Sequence, residues 1–190
     1  MNNMIQKRIN IILSEANLVL KDIDDYQVKL FINEILIAKN IVVIGAGRMG
    51  LAGKAFSMRL GHLGLTSFAL GDSTLPKIKK KDLVIACSGS GETQTIYDLA
   101  LLSKDNGARL AVISSYIDHN KSRMTKIADT VVVINAPSKH KEIKGFKSVQ
   151  PMTSLNEQCL TIFFDAVVLL LMDKLNQTNE QMKDRHTILE

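Results

Sequence analysis

Five short, β-branched or apolar segments recur through the middle of this chain, and the lengths between them suit helical crossovers. Strands joined by helical crossovers run parallel, and their helices cover both faces of the sheet. The sequence therefore predicts an α/β fold, a doubly wound five-stranded parallel sheet flanked by helices, with the flavodoxin-like strand order. The predicted strands are residues 41–44, 67–70, 83–87, 110–114 and 130–134.

The remaining segments frame this sheet within one predicted domain, because 190 residues suffice for a single complete core. Residues 1–39 predict two N-terminal helices with Asp24 as the N-cap between them. Residues 40–135 form the predicted sheet core, and residues 154–190 predict C-terminal helices. A polar loop of about residues 135–153 joins the last two parts. In the first helix, apolar residues fall on one face: Ile5, Ile9, Ile12 and Leu13.

The helix predicted to begin at Ser154 is apolar enough to suggest a membrane span. A span needs about 20 apolar residues, and Glu157 and Asp165 interrupt this one. We therefore expect a helix that is buried all round, in part against another subunit. Beyond it, the pattern from Thr178 to Gln181 predicts a capping box at the start of a short final helix.

Composition narrows the classes of function. The net charge is +5, with basic clusters at 77–81 and 139–147, but the chain has no Trp and few other aromatic residues. Binders of single-stranded nucleic acid need such rings for stacking, so the charge suits anionic small molecules at least as well. No secretion signal is visible, which predicts a cytoplasmic protein. Cys87 and Cys159 lack metal-type spacing and are expected to be buried thiols, and no metal site is predicted.

The loop of residues 88–93 separates a predicted strand from a predicted helix. Its glycines, Gly89 and Gly91, allow successive N–H groups to point inward, and the helix start adds a partial positive charge. Three hydroxyl groups are available to donate to the same anion. We therefore interpret the whole loop as a phosphate cradle, while an ordinary turn in which Thr93 caps the helix remains the alternative. The loop consists of Ser88, Gly89, Ser90, Gly91, Glu92 and Thr93.

A second glycine loop, residues 45–50, follows the first predicted strand and matches the G-x-G-x-x-G pattern of dinucleotide-binding folds. That pattern is weak alone, and Asp72, the acidic residue nearest the expected ribose-binding place, falls in an apparent turn. Arg48 suits a phosphate or sugar oxygen equally well. In the predicted strand order, both glycine loops face one crevice between strands one and three, where such folds bind ligands. A small phosphorylated ligand fits this arrangement, with Gly47 and Arg48 beside it.

Several separate motifs resemble the 6-phospho-3-hexuloisomerase family of SIS-domain sugar isomerases, and the resemblance covers nearly the whole chain. The motifs are residues 45–48, 58–64, 88–93, 150–158, 185–186 and 189–190. One departure is Met49, where family members commonly have a serine whose hydroxyl could contact the substrate.

The resemblance implies an isomerase that interconverts D-arabino-hex-3-ulose 6-phosphate and D-fructose 6-phosphate in the ribulose monophosphate pathway of formaldehyde fixation or detoxification. It implies no metal or organic cofactor, a homo-oligomer (a tetramer or a dimer), and 3-hexulose-6-phosphate synthase as the functional partner. Nucleic acid and membrane partners are not expected. Two alternatives stay open: another SIS-type sugar-phosphate isomerase, and a sugar-phosphate-binding module without turnover.

The implied reaction passes through a cis-enediol, and the resemblance places its base at Glu157. A capping box of residues 154–157, in which Glu157 only bonds the helix start, is the structural alternative. His62 and His186 are candidates to polarise the migrating oxygens or to carry their protons, because imidazole titrates near neutral pH. His186 lies in the predicted C-terminal helix, so it reaches the crevice only by folding back or from a neighbouring subunit.

Overall fold

The computed structural model describes residues 3–116, 122–137 and 146–188. Its strands are β1 (Ile41–Gly45), β2 (Ser67–Ala69), β3 (Leu83–Cys87), β4 (Arg109–Ser114) and β5 (Thr130–Val133). They form one parallel sheet in the order β2-β1-β3-β4-β5. The predicted fold, strand order and strand positions are therefore confirmed.

The helices are α1 (Met4–Leu20), α2 (Asp25–Ile37), α3 (Gly47–His62), α4 (Gln94–Asp105), α5 (Arg123–Ile127), α6 (Ser154–Leu175) and α7 (Asn179–Asp184). The Asp24 carboxylate accepts the N–H of Tyr26, and the capping box of Thr178 and Gln181 forms at the start of α7. The prediction of helical crossovers is wrong for the β2–β3 connection, residues 70–82, which contains no helix. Its turn at Gly71 and Asp72 and its proline keep it extended.

Side chains alternate along the buried strands and so build a core on each face of the sheet. Val43 on β1 points into the larger core, which α1, α2, α3 and α6 cover. Val42 points the other way, into a core that α4 and α5 cover. The doubly wound arrangement follows from strands that are apolar on both faces.

The two long helices α1 and α6 leave apolar side chains at the surface of one chain. In α1, the apolar face identified from the sequence is largely exposed, with Ile5 at 73% and Leu13 at 58% exposure. In α6, Ile162, Leu169 and Leu170 lie at the surface of one chain, so burial of this helix against another subunit stays a prediction. Periodicity identifies an apolar face but does not say what covers it.

Helix α6 is the one helix in the described part of the chain that is long and apolar enough to cross a membrane by length and composition. Half of its most apolar stretch is buried inside the protein. Phe163 and Phe164 on that inner side pack against Phe31 of α2 and Phe56 of α3. These contacts are those of a helix that packs one face into a protein core.

Two features singled out in the sequence lie outside the described residues. One is residues 139–145 of the basic cluster at 139–147. The other is the motif at residues 189–190.

Candidate active site

A cavity of about 380 Å³ opens at the carboxyl ends of β1 and β3, where the direction of chain progression across the sheet reverses. This is the place at which open parallel sheets bind ligands, and the volume lies within the range of about 300–1,000 Å³ that is usual for small-molecule sites. Both glycine loops contribute to it, as predicted from the strand order. Its lining residues are Ala46, Gly47, Arg48, Met49, Cys87, Ser88, Gly89, Ser90, Thr93, Met152, Thr153, Asn156 and Glu157.

Three helices begin at this cavity. Gly47 is the first residue of α3, Thr93 is the N-cap of α4, and Thr153 is the N-cap of α6. Each helix start presents N–H groups without intrahelical acceptors and carries a partial positive charge. Three such ends around one cavity favour an anionic ligand.

The loop of residues 88–93, which we call the serine loop, places its hydroxyl groups in the cavity, and hydrogen bonds within the loop hold them there. Ser88 Oγ and Thr93 Oγ1 are 3.0 Å apart and share a hydrogen bond, and the N–H of Gly91 donates to Ser88 Oγ at 3.1 Å. Thr93 makes no side-chain cap, so the alternative that it serves only as a capping residue is not supported. Among the described residues, none accepts a hydrogen bond from the backbone N–H group of Gly89 or Ser90. The loop therefore offers hydroxyl and N–H donors together.

Two of the predicted loop residues, Gly91 and Glu92, do not line the cavity. Gly91 has a φ of 64° and turns the chain so closely against Ser122 that a Cβ atom would collide with its hydroxyl group. The Glu92 carboxylate then faces α5, where it accepts the Arg123 backbone N–H at 2.5 Å and the guanidinium at 2.7 Å. This orientation keeps a negative charge away from the space for a phosphate.

Burial raises the pKa of Glu92, but the backbone and side-chain hydrogen bonds from Arg123 outweigh that effect and hold its pKa below the ordinary value. Arg123 also lies over the ring of Tyr97 on α4, 4.5 Å from the ring centroid. Glu92 and Arg123 therefore support the serine loop on the side that faces away from the cavity.

Glu157 lies in the first turn of α6 and points into the cavity, with 13% of its side chain exposed. Its Oε2 accepts from Arg48 Nε at 2.5 Å, and its Oε1 accepts from Thr153 Oγ1 at 2.9 Å. The alternative of a capping box with Ser154 does not form, because the N-cap is Thr153 and no side chain caps this helix. The carboxylate is therefore held by two side chains that themselves line the cavity.

The glycine loop of residues 45–50 has the features of close packing rather than of a nucleotide site. A Cβ atom on Gly50 would collide with the carbonyl oxygen of Gly45, so this glycine serves the approach of α3 to β1. The Asp72 carboxylate accepts the N–H of Ala69 at 2.7 Å and is used by its own turn. Arg48 is engaged by Glu157. These contacts do not support the dinucleotide interpretation.

Asn156 is a site residue that sequence reasoning missed. It is 2% exposed, lines the cavity, and donates from Nδ2 to Ser115 Oγ at 2.5 Å. A Cβ atom on Gly89 would lie 2.9 Å from Asn156 Nδ2, so Gly89 allows this close approach. A polar residue next to the predicted base was the signal available in the sequence.

Cys87 lies at the floor of the cavity, and complete burial raises the pKa of its thiol to about 12. The thiol is therefore protonated and is a poor nucleophile at neutral pH. Cys159, the other predicted buried thiol, is also buried, and its pKa is likewise raised to about 12 by burial. Within the described part of the chain, no group of three or more His, Cys, Asp or Glu residues is arranged to hold a metal ion.

His62 and His186 lie together, but around a second cavity of about 320 Å³. Their ring centroids are 5.1 Å apart, and Arg59 and Lys183 line the same space. His62 is the last residue of α3, about 21 Å along the helix from Arg48 at an ordinary helical rise. Within one chain, neither histidine lines the cavity that contains Glu157.

The C-terminal segment reaches His62 through Arg185, a contact that the sequence did not reveal. Arg185 Nη1 donates to the carbonyl oxygen of His62 at 3.0 Å and to Gln177 Oε1 at 2.7 Å. A guanidinium at the carboxyl end of α3 is stabilised by the helix dipole. Helix α7 ends at Asp184, so the prediction that His186 lies in the C-terminal helix is wrong. His186 lies just beyond that helix, and its neighbour Arg185 holds it near His62.

Comparison with known proteins agrees with this architecture. The model of the SIS domain family matches residues 34–162. A 3-hexulose-6-phosphate isomerase from Bacillus subtilis is 36% identical over 158 residues, 83% of this chain and 84% of its own. The enzyme of that name from Methanocaldococcus jannaschii is 33% identical over 181 residues, 92% of this chain and 93% of its own.

Solved structures share the fold over nearly the whole chain. A protein from Methanococcus jannaschii, for which a function of 3-hexulose-6-phosphate isomerase was inferred, superimposes with a TM-score of 0.82 at 28% identity, covering 97% of this chain and 99% of its own. The Vibrio vulnificus NanR protein, solved with ManNAc-6P, shares the fold with a TM-score of 0.73 at 16% identity, covering 97% of this chain and 66% of its own. From the matched domain and the full-length relatives, the chain belongs to the 3-hexulose-6-phosphate isomerase family of SIS-domain proteins.

Proposed function

We propose that this isomerase interconverts D-arabino-hex-3-ulose 6-phosphate and D-fructose 6-phosphate. One observation carries the proposal: a carboxylate, Glu157, and a loop of hydroxyl and N–H donors face the same cavity of about 380 Å³. A carbonyl shift along a sugar phosphate needs both features, a base for the carbon-bound proton and a separate anchor for the phosphate. The names of the relatives support the same substrate pair.

In this mechanism Glu157 removes the proton from C2 of the 3-ulose, and the electrons of that C–H bond form the C2–C3 double bond of a cis-enediol. The C3 oxygen gains a proton, and the C2 oxygen loses one as the second carbonyl forms. Glu157 then returns a proton to C3. One carboxylate on one face of the enediol performs both transfers, so no redox partner is needed and all atoms balance.

Arg48 and Thr153 would set the state of the base. Both carboxylate oxygens of Glu157 accept hydrogen bonds, Oε2 from Arg48 and Oε1 from Thr153. Arg48 is 62% exposed and can move, whereas Thr153 is fixed at the start of α6. A substrate oxygen that draws the Arg48 guanidinium toward itself frees Oε2 for the proton transfer and gains a charged hydrogen-bond donor.

The phosphate would lie against residues 88–90 and the start of α4. Ser88, Ser90 and Thr93 supply hydroxyl groups there. The N–H groups of Gly89 and Ser90, which donate to none of the residues that the structure describes, add backbone donors. Gly47 leaves open space on the opposite wall, since no atom lies within 4 Å of a Cβ atom built on it. Met49 presents a thioether where members of the family commonly have a serine hydroxyl, so it contributes shape rather than a hydrogen bond.

The oligomeric state belongs to the same proposal. Helices α1 and α6 pack against each other, and each exposes apolar side chains, such as Ile5 on α1 and Leu169 on α6. Exposed apolar surface of this kind is typical of subunit interfaces. We infer a homo-oligomer, a tetramer or a dimer, in which a neighbouring subunit presents His62 and His186 to the Glu157 cavity.

The cellular setting follows from the substrate. A 3-ulose 6-phosphate requires an enzyme that joins formaldehyde to ribulose 5-phosphate, so we propose 3-hexulose-6-phosphate synthase as the functional partner. The proposed setting is the cytoplasm and the ribulose monophosphate pathway, in formaldehyde fixation or detoxification.

A coupled assay tests the activity. Formaldehyde and ribulose 5-phosphate, joined by a synthase, supply the 3-ulose, and formation of fructose 6-phosphate is followed. We expect product only when this chain is present, and turnover should fail with a Glu157→Gln variant. Binding of the 3-ulose phosphate without product would instead identify a sensing module. Turnover of arabinose 5-phosphate in its place would identify another isomerase of the SIS type.

A further inference from the structure

Glu15 is a buried carboxylate that the proposed reaction does not use. It lies on α1 and is 7% exposed, and its neighbours Ala16 and Val19 belong to the larger hydrophobic core. A carboxylate in such surroundings is destabilising unless hydrogen bonds satisfy its oxygens. The hydrogen-bond partners of Glu15 therefore indicate its structural role.

Those partners all come from one short segment, residues 148–150. Glu15 Oε1 accepts the backbone N–H of Val149 at 2.8 Å, and Oε2 accepts Ser148 Oγ at 2.7 Å and Gln150 Nε2 at 2.9 Å. Burial raises the pKa of Glu15, but these three bonds outweigh it and hold the pKa below its ordinary value. The segment is thus fastened to α1 by an ionised acceptor.

The fastened segment leads directly into the wall of the candidate active site. Only Pro151 and Met152 separate it from Thr153, the N-cap of α6. Met152 has a φ of 55°, a left-handed conformation that a residue with a side chain adopts only when its surroundings hold it. Met152 and Thr153 both line the cavity, and Thr153 Oγ1 donates to Glu157.

We propose that Glu15 is a positioning residue of the isomerase: it fixes residues 148–150 to α1, and through them it holds Thr153 where it hydrogen-bonds the base. This inference rests on the proposed role of Glu157. Glu15 touches neither the cavity nor the substrate, and it acts through the turn at Met152. A displacement of about 1 Å at a catalytic group is enough to cost about a hundredfold in rate.

The first test is the Glu15→Gln variant, which removes the negative charge and replaces one acceptor oxygen by an NH₂ group, so the three charge-assisted bonds are weakened and those at the NH₂ group must reverse direction or break. We expect kcat to fall about ten- to a hundredfold, with KM changed less than about twofold, because the serine loop is untouched. Glu34→Gln is the matched control, since it removes an ion pair with Arg109 at the opposite end of the sheet. It should lower stability without changing kcat.

A double variant separates positioning from general destabilisation. If Glu15 acts through Thr153, Glu15→Gln should add little to the loss of kcat that Thr153→Val causes alone. Fully additive losses, or a fall in kcat equal to that of the Glu34 control at matched stability, would overturn the proposal.

Hydrogen exchange without substrate tests the anchor itself. Glu15→Gln should speed exchange of the amides of residues 148–153 while β3 stays protected. Unchanged exchange in this segment would refute the anchor, whatever the activity. Faster exchange in a chain whose wild type shows no isomerase activity would instead refute the proposed function.

Discussion

The two ends of α3 face cavities of opposite chemistry. At its amino end, Arg48 joins hydroxyl groups, helix N–H groups and one carboxylate, Glu157. At its carboxyl end, His62 joins His186 and two cationic side chains, and none of the described residues that line that second cavity is acidic. Among the residues that the structure describes, the first cavity has the proposed base and anion anchor but no imidazole, whereas the second has imidazoles and no carboxylate.

In the proposed mechanism, the described residues of neither cavity in one chain supply both kinds of group that an isomerase site needs. The proton on carbon requires the carboxylate, and the protons on the two oxygens are suited to groups that titrate near neutral pH. The two halves are about 21 Å apart along α3 at an ordinary helical rise. Pairing the amino end of one α3 with the carboxyl end of another would bring them together, and the exposed apolar helices provide the surface for that contact.

The largest expected effect is at the amino end. Glu157→Gln keeps the shape of the side chain but cannot accept a proton from carbon, so kcat should fall by a factor of about 10² to 10⁴. Steady-state kinetics measure the fall in kcat. Titration of the variant with the sugar phosphate measures binding, which should persist. Asp105→Asn, at the surface and at the end of α4 away from the cavity, is the control. A near-normal rate for Glu157→Gln would show that the carboxylate is structural.

The serine loop should govern binding rather than the chemical step. Replacing Ser88 and Ser90 together by alanine removes two hydroxyl donors to a charged phosphate, and each such bond contributes about tenfold in affinity. KM should rise about a hundredfold, with kcat changed far less. Ser103→Ala, a buried serine on α4 outside the cavity, controls for folding. An unchanged KM would remove the phosphate assignment.

Mixing inactive variants tests whether the two ends meet across subunits. His62→Ala and Glu157→Gln chains, unfolded together and refolded, should regain about a quarter of the wild-type rate if each site draws one half from each of two subunits. Two carboxyl-end variants, His62→Ala and His186→Ala, should not complement each other. No recovery in the first mixture would contradict the proposal that His62 and Glu157 of one site come from two subunits.

The smallest expected effect concerns the support behind the serine loop. Because the hydrogen bonds from Arg123 hold the pKa of Glu92 below its unfolded value, this carboxylate stabilises the fold above the unfolded pKa. That contribution is lost as the pH falls through the folded pKa. Thermal unfolding followed from about pH 7 to about pH 3 should therefore decline less steeply in Glu92→Gln than in wild type. Asp105→Asn, at the far end of α4, should follow the wild-type curve.

Much of the fold could be predicted because it follows from local pattern. Apolar segments of strand length separated by helical spacing specify a parallel sheet, and the strand order then brings the loops after β1 and β3 to one cavity. The direction in which a loop side chain points was harder to predict from the sequence. The conformation at Gly91 turns Glu92 toward Arg123, and no pattern in the sequence reveals that Arg123 lies there.

Two other features depend on contacts between distant parts of the chain. In the sequence, Glu15 has the pattern of an ordinary polar residue in an amphipathic helix. It is nevertheless buried, because residues 148–150 bring three hydrogen-bond donors to it. The apolar face of α1 is visible in the sequence, but its exposure is not. Both depend on what packs against a helix, which periodicity does not record.

Exchange of carbon-bound hydrogen in deuterated water tests the central claim most directly. Given fructose 6-phosphate, the enzyme must open the furanose ring and remove the proton at C3 to reach the 2,3-enediol. Proton NMR should therefore show deuterium entering at C3 with the wild-type chain and not with Glu157→Gln. Exchange at C1 would indicate a 1,2-enediol and a different isomerase. Undiminished exchange at C3 in the Glu157→Gln variant would show that another group is the base.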